Sequence, residues 1–313
     1  MLGFFINSAN SGSRPPNWLV ELSRLQKGNG MYLLSRGSGY PVLFIHGIPT
    51  SSQLWSGVID KLLGRFTCMA VDLPGLGRSP KEDCGVNQLE AIADQIEAIR
   101  VQHGIDKWHV VGHDAGSAIA VHYAYRFQER VDRLALLSPA MFPDLKPFHL
   151  FRILRQPVIG ELLAPAVNAI FWNIAMRYAV EPQQGKLDDV VEDFHAPFSG
   201  PLGAWRLMSI LRFGDPADVL ASIPAMLPQL RIPTIIFQGS HDPAIPEAFA
   251  RRASALIPHS KVVMVDSGHF IPLNNPEVVA AELLSFFASD GAANWPSRVE
   301  EQTGCADLLA PVH

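Results

Sequence analysis

Cysteine is scarce, with Cys68, Cys84 and Cys305 the only three in 313 residues. They are too few and too scattered for a disulfide framework, and Cys68, inside a predicted strand, is expected to act as a small buried hydrophobe. A reducing cytoplasm fits that usage. Excess charge is lacking as well: a net charge of −5 gives no global attraction to nucleic acid or to an anionic membrane. The eleven histidines occur without CxxC or HExxH spacing, so no metal is expected. No apolar run reaches membrane length. The opening Met1-Leu-Gly-Phe-Phe-Ile6 is short and has no basic segment before it, and later runs are broken by Pro, Gly or Arg. Internal repeats and low-complexity blocks are absent too. What remains is a soluble enzyme-sized chain whose partners are expected to be a small organic molecule and water, as a monomer or homodimer.

What is present is alternation. Residues 1–18 are rich in Asn, Ser, Gly and Pro and read as a loose arm. Leu22–Gln26 and Met31–Ser35 read as strands joined by a Lys-Gly-Asn-Gly turn. Pro41–Ile45 is continuously apolar, the mark of a strand covered on both faces. Then follow a helix over Ser52–Leu63, a strand over Cys68–Asp72 and a helix over Gln88–Gln102, the last with Leu89, Ile92, Ile96 and Ile99 on one face. A strand at His109–Gly112, a helix at Ser117–Phe127 and a strand at Leu134–Leu137 continue the series. Such a series implies a mostly parallel sheet flanked by helices. From 142 to 228 no strand is legible, only helical stretches punctuated by prolines. The sheet pattern resumes with Thr234–Gln238, a helix Glu247–Leu256, a strand Lys261–Val265 and a helix Glu277–Phe287. The expected organisation is therefore a core of residues 19–141 and 229–289, a helical cap over 142–228, and a tail over 290–313.

The chemistry starts at Gly112-His113-Asp114-Ala115-Gly116, between a strand and a helix. This is the G-x-Nuc-x-G elbow, whose glycines permit a tight turn around a strained nucleophile. Alone, Asp114 could equally be a helix N-cap. The rest of the machinery follows in the required order of nucleophile, acid, histidine. Asp242 ends a strand in Gly239-Ser-His-Asp242, and His269 follows another in Asp266-Ser-Gly-His-Phe270. Both lie at the carboxyl ends of parallel strands, where such sheets bind ligands. Asp266 is a rival acid, read as a turn residue. The N–H groups of Ile48, in His46-Gly-Ile-Pro49, and of Ala115 form a candidate oxyanion hole. His46 and His113 are read as structural.

His46-Gly-Ile-Pro-Thr-Ser-Ser-Gln-Leu-Trp55, Asp72-Leu-Pro-Gly-Leu-Gly-Arg-Ser79, Gly112-His-Asp-Ala-Gly116 and Gly268-His-Phe270 resemble the haloalkane dehalogenase and epoxide hydrolase branch of the α/β-hydrolase superfamily. The resemblance spans about residues 22–288 and implies an α/β-hydrolase fold with a cap. It further implies a catalytic Asp114, a water-activating His269, a supporting Asp242, and neither metal nor organic cofactor. A carboxylate attacking saturated carbon makes an ester that water can cleave, whereas a serine would make a stable ether.

The leaving group is less legible. In that branch a halide is held by a Trp after the nucleophile, sometimes joined by an Asn in the His-Gly-x-Pro loop; here those positions are Ala115 and Ile48. An epoxide is protonated by cap tyrosines; here the cap offers Tyr178, with Trp205 at the second expected position and Trp172 as a further candidate. Tyr178, Trp205 and Trp172 are equally readable as helix packing or core. Epoxide opening leads slightly over dehalogenation. A biosynthetic enzyme using Asp114 as a base, a non-catalytic ligand receptor and an ordinary esterase are the competing readings.

Overall fold

Val42–Ile45 has no polar residue because both faces of its strand are covered, and all four side chains are fully buried. In the computed structural model, which describes residues 30–80, 88–146, 149–176, 186–212 and 215–288, this run lies in β2 (Tyr40–Ile45). Around it stand β1 (Leu33–Gly37), β3 (Phe66–Val71), β4 (Trp108–His113), β5 (Val131–Leu137), β6 (Thr234–Gly239) and β7 (Ser260–Val265). They form one seven-stranded sheet in the order β1-β3-β2-β4-β5-β6-β7. Only β1 runs antiparallel to its neighbour; every other pair is parallel, as the alternating pattern implies.

The flanking helices of the core are α1 (Ser56–Leu62), α2 (Gln88–Gln102), α3 (Ala115–Arg126), α8 (Glu247–Leu256) and α9 (Pro276–Ala288). Between β5 and β6 the described residues hold helices and no strand, chiefly α4 (His149–Arg155), α5 (Ile159–Ile170), α6 (Lys186–His195) and α7 (Gly203–Leu211). The inserted helical cap is therefore real. Pro165, expected to punctuate it, lies inside α5. An interior proline costs about 3 kcal/mol, and burial of Ala164 and Val167 on the packed side opposes that loss.

Other boundaries differ from expectation as well. The stretch Ser52–Leu63 is not one helix: a 3-10 turn, Ser52–Trp55, precedes α1. The Ser51 hydroxyl caps the Gln53 N–H and the Leu54 N–H reaches the Ser51 carbonyl, which holds the tighter winding. Strand β1 begins two residues later than Met31, and the Leu22–Gln26 strand proposed to pair with it lies outside the described residues. So do the arm 1–18 and the tail 290–313. Helix α3 starts at Ala115 rather than Ser117, directly after the elbow.

Candidate active site

The end of β4 and the start of α3 leave Asp114 one residue in which to reverse direction. Its backbone sits at φ 50°, ψ −122°, a sparsely populated region that costs on the order of 1–3 kcal/mol for a residue with a side chain. The surroundings hold it there. Its N–H donates to the Leu137 carbonyl at 3.0 Å, and its carbonyl accepts from Ser117 N–H at 2.9 Å. The glycines on either side are steric requirements. A Cβ on Gly112 would stand 2.5 Å from the Gly116 carbonyl oxygen, and one on Gly116 would stand 2.4 Å from that of Ile45.

Over this turn lies the loop that follows β2. The Ile48 N–H donates to Oδ2 of Asp114 at 3.1 Å, and the N–H of Ala115 favours the ionised carboxylate. One carboxylate oxygen thus meets one of the two proposed donors, the Ile48 N–H. His46 fixes the loop from beneath. Its Nε2 accepts from Leu73 N–H at 2.9 Å, so Nδ1 carries the proton and donates to the Gly47 carbonyl at 2.8 Å. Burial drives its pKa down, which keeps it in this neutral form. Asp72, at the end of β3, accepts from Ser52 N–H at 2.6 Å and from Arg78 N–H at 2.8 Å, tying two loops together.

His269 and Asp242 arrive from the loops after β7 and β6. Nδ1 of His269 lies 2.9 Å from Oδ2 of Asp242, while Oδ1 accepts from the N–H groups of Ala244 and Ile245 at 2.8 and 2.9 Å. With Nδ1–H directed at the carboxylate, Nε2 carries the lone pair that a base needs. Burial opposes the charge on Asp242, yet His269 and these N–H donors hold it at about 2. For His269, burial disfavours the imidazolium, but the charges of Asp242 and Asp114 outweigh it and raise its pKa. Asp114 shows the converse: burial pushes its carboxyl up, against the opposing influence of His269 and of the Ala115 and Ile48 N–H groups.

The rival acid is elsewhere. Asp266 is 94% exposed and pairs with the imidazole of His241, not His269. His113 donates from Nε2 to the His269 carbonyl at 3.0 Å and supports that loop from behind. Tyr178 lies outside the described residues. Trp172 is buried, its N–H spent on Oδ1 of Asn168 at 3.1 Å and its ring stacked on Phe198 and His195. Trp205 is 42% exposed. Among the described residues, no group of three or more His, Cys, Asp or Glu is arranged to hold a metal.

Sequence reading missed two features. Gly47 has no side chain because a Cβ there would meet Asp114, which only the meeting of two distant loops reveals. Asp193, on α6, accepts from the Ser51 hydroxyl at 2.6 Å and from Arg78 at 3.3 Å, joining the cap to the oxyanion loop.

An elbow, a donor hole and an acid–histidine pair on the carboxyl edge of such a sheet define a hydrolase-type enzyme, and the chain belongs to the α/β-hydrolase fold family, whose profile matches residues 40–276. It is 30% identical to a cis-3-alkyl-4-alkyloxetan-2-one decarboxylase of Shewanella oneidensis, over 79% of this chain and 81% of that protein. It is 29% identical to a soluble epoxide hydrolase of a Corynebacterium species, over 83% and 94%. The crystal structure of a haloalkane dehalogenase from Bradyrhizobium elkani superposes with a TM-score of 0.70 at 26% identity, covering 82% of this chain and 94% of that one.

Proposed function

We propose that this enzyme attacks a saturated carbon of a small organic electrophile with Asp114, forming an alkyl ester that a His269-activated water hydrolyses. The observation that carries this reading is the Ile48 N–H on Oδ2 of Asp114 at 3.1 Å. With Oδ2 held by that N–H, Oδ1 is the attacking oxygen and Oδ2 becomes the ester carbonyl. Water then adds to that carbonyl carbon as His269 Nε2 takes its proton. The tetrahedral oxyanion forms on Oδ2, between the N–H groups of Ile48 and Ala115. Collapse expels the product alcohol and restores the carboxylate, with one oxygen from water.

The favoured electrophile is an epoxide, whose ring C–O bond breaks as Oδ1 bonds to carbon and whose released oxygen takes a proton, a role for Tyr178. A carbon–halogen bond is less well served. Position 115 carries no indole, position 48 no amide side chain, the Trp172 N–H is already donated and Trp205 is turned to solvent.

A second reading shares the attack but not the leaving group. In a four-membered lactone, attack at the ring carbon bearing oxygen expels a carboxylate, which needs neither a proton donor nor a halide cradle. Loss of carbon dioxide, with its C–C electrons forming an alkene and displacing Asp114, would complete that reaction without water. The 30% identity to an oxetanone decarboxylase favours it.

The test is intact-mass spectrometry of His269→Gln after exposure to epoxides, alkyl halides and β-lactones. With ester hydrolysis blocked, epoxides should leave an adduct on Asp114. Adducts from halides alone would overturn the epoxide preference. Turnover of β-lactone to alkene by this variant would favour the second reading. In ¹⁸O water, wild-type turnover of an epoxide should label the Asp114 carboxylate; unlabelled Asp114 despite epoxide turnover would make it a base instead.

A further inference from the structure

The outward side of the cap combines exposed apolar side chains with arginines. Helix α5 buries Gly160, Ala164 and Val167 and exposes Ile159, Leu162, Leu163 and Ile170, with Val158 just before it. Leu162 is 76% exposed and Val158 68%. The acidic side chain of α5, Glu161, is ion-paired with Arg212. Leu202 and Trp205, at the start of α7, extend the exposed apolar surface, at 63% and 42%. Helices α4, α5 and α7 pack on one another as a layer.

Charge is segregated in the same way. Within α4, α5 and α7, together with Arg212 at the end of α7, stand four arginines (Arg152, Arg155, Arg206, Arg212); two carboxylates pair with them, Glu161 with Arg212 and Asp215 with Arg155. That leaves this layer at +2, carried by Arg152 and Arg206, within a chain of net −5. The cap's acidic helix is α6, and its Asp193 is turned to the core, against Ser51 and Arg78. Arg152 and Arg206 are themselves exposed, each next in sequence to an exposed apolar residue, Ile153 and Trp205.

We infer that this face of the cap docks the enzyme onto an anionic phospholipid surface. Exposed leucine, isoleucine and tryptophan beside arginines is the composition of a helix lying at a bilayer interface, its apolar side in the acyl boundary and its cations among the headgroups. Among the described residues no helix is long enough to cross a membrane, so this is adsorption and not insertion through it. Whole-chain charge gave no sign of it, because the acidic remainder masks a local surplus of arginine. A second copy fits less well: a twofold contact through this layer would set the arginines of one copy against those of the other. The inference stands apart from the catalytic reading, and its test needs no substrate.

The experiment is flotation of the full-length protein with vesicles of phosphatidylcholine alone or mixed with phosphatidylglycerol, at low and high salt. Wild type should float with the mixed vesicles, less at high salt, and much less with phosphatidylcholine alone. Arg152→Gln and Arg206→Gln should each weaken partitioning about fivefold, and Leu162→Glu should abolish it. All are exposed positions, and an unchanged thermal melt will confirm that each variant is folded. Absence of flotation, equal flotation with both vesicles, or full flotation of Leu162→Glu would overturn the inference. So would a wild-type dimer that Leu162→Glu dissolves, without vesicle binding, which would assign the face to self-association.

Discussion

A Cβ on Gly47 would stand 2.5 Å from Oδ2 and 2.6 Å from Cβ of Asp114. The φ of Gly47 does not demand glycine; the demand is space, since the backbone of the loop after β2 rests directly on Asp114. Gly47→Ala should push that loop outward and withdraw the Ile48 N–H. Loss of one such donor lowers turnover about 10²–10³-fold, measured as kcat on whichever electrophile labels His269→Gln. An undiminished kcat would show that the loop does not act on the reacting carboxylate.

The imidazole of His269 is buried, which disfavours its charge, but Asp242 and Asp114 together raise its pKa. In the proposed reaction Asp114 becomes a neutral ester, which would let the imidazole release its proton more readily when a base is needed. Asp114→Asn imitates that state and should move the NMR titration midpoint of His269 down. An unmoved midpoint would separate the two groups.

The same charges set how stability depends on pH. A histidine with a raised folded pKa contributes stability below its ordinary value of about 6.5, lost as pH rises through the folded value. Asp242 works in the opposite direction. Held at about 2, it contributes above the ordinary carboxylate value of about 4 and loses that contribution as pH falls towards 2. Asp242→Asn should therefore remove the carboxylate effect and weaken that of His269, leaving the Asp114 share, read as a flatter profile of denaturation midpoint against pH.

Asp193 reaches from the cap to Ser51 at 2.6 Å and to Arg78 at 3.3 Å. Ser51 is three residues beyond Ile48, so cap position and donor-hole position are mechanically linked. Asp193→Ala should raise KM and lower kcat together, while Asp193→Asn, which can still accept the Ser51 hydroxyl, should recover part of kcat. Equal defects in both variants would assign the loss to charge alone.

The guanidinium of Arg252 bonds both oxygens of Asp144 at 2.9 and 3.0 Å and lies 4.1 Å from the centre of the Phe142 ring. Asp144 lies on the chain leaving β5 for the cap, and both partners are largely buried. Removing one partner of a buried pair costs about 3–5 kcal/mol. Asp144→Ala should lower stability by that order in urea denaturation; a change under about 1 kcal/mol would place the pair among weak surface bridges.

Much of the architecture was legible because it depends on local pattern. Continuous apolar runs marked the buried strands, and Gln88–Gln102 and Glu247–Leu256 match the observed helices residue for residue. The order of Asp114, Asp242 and His269 at strand ends was equally readable, and the structure brings Asp242 and His269 into contact. Trp172 and Trp205 were not readable. An indole in an amphipathic helix gives the same pattern whether it lines a pocket, packs inside the cap or faces solvent, and here one is packed and the other exposed.

The sequence alone determined the candidate for the attacking group, since an aspartate between two elbow glycines requires no knowledge of distant contacts. Only the tertiary structure decided what surrounds it. The contact of Gly47 with Asp114, the choice of Asp242 over Asp266 as partner to His269, and the Asp193 link to Ser51 all join segments far apart in the chain. Local propensity carries no information on such encounters, because they depend on how separate loops are stacked at the edge of one sheet.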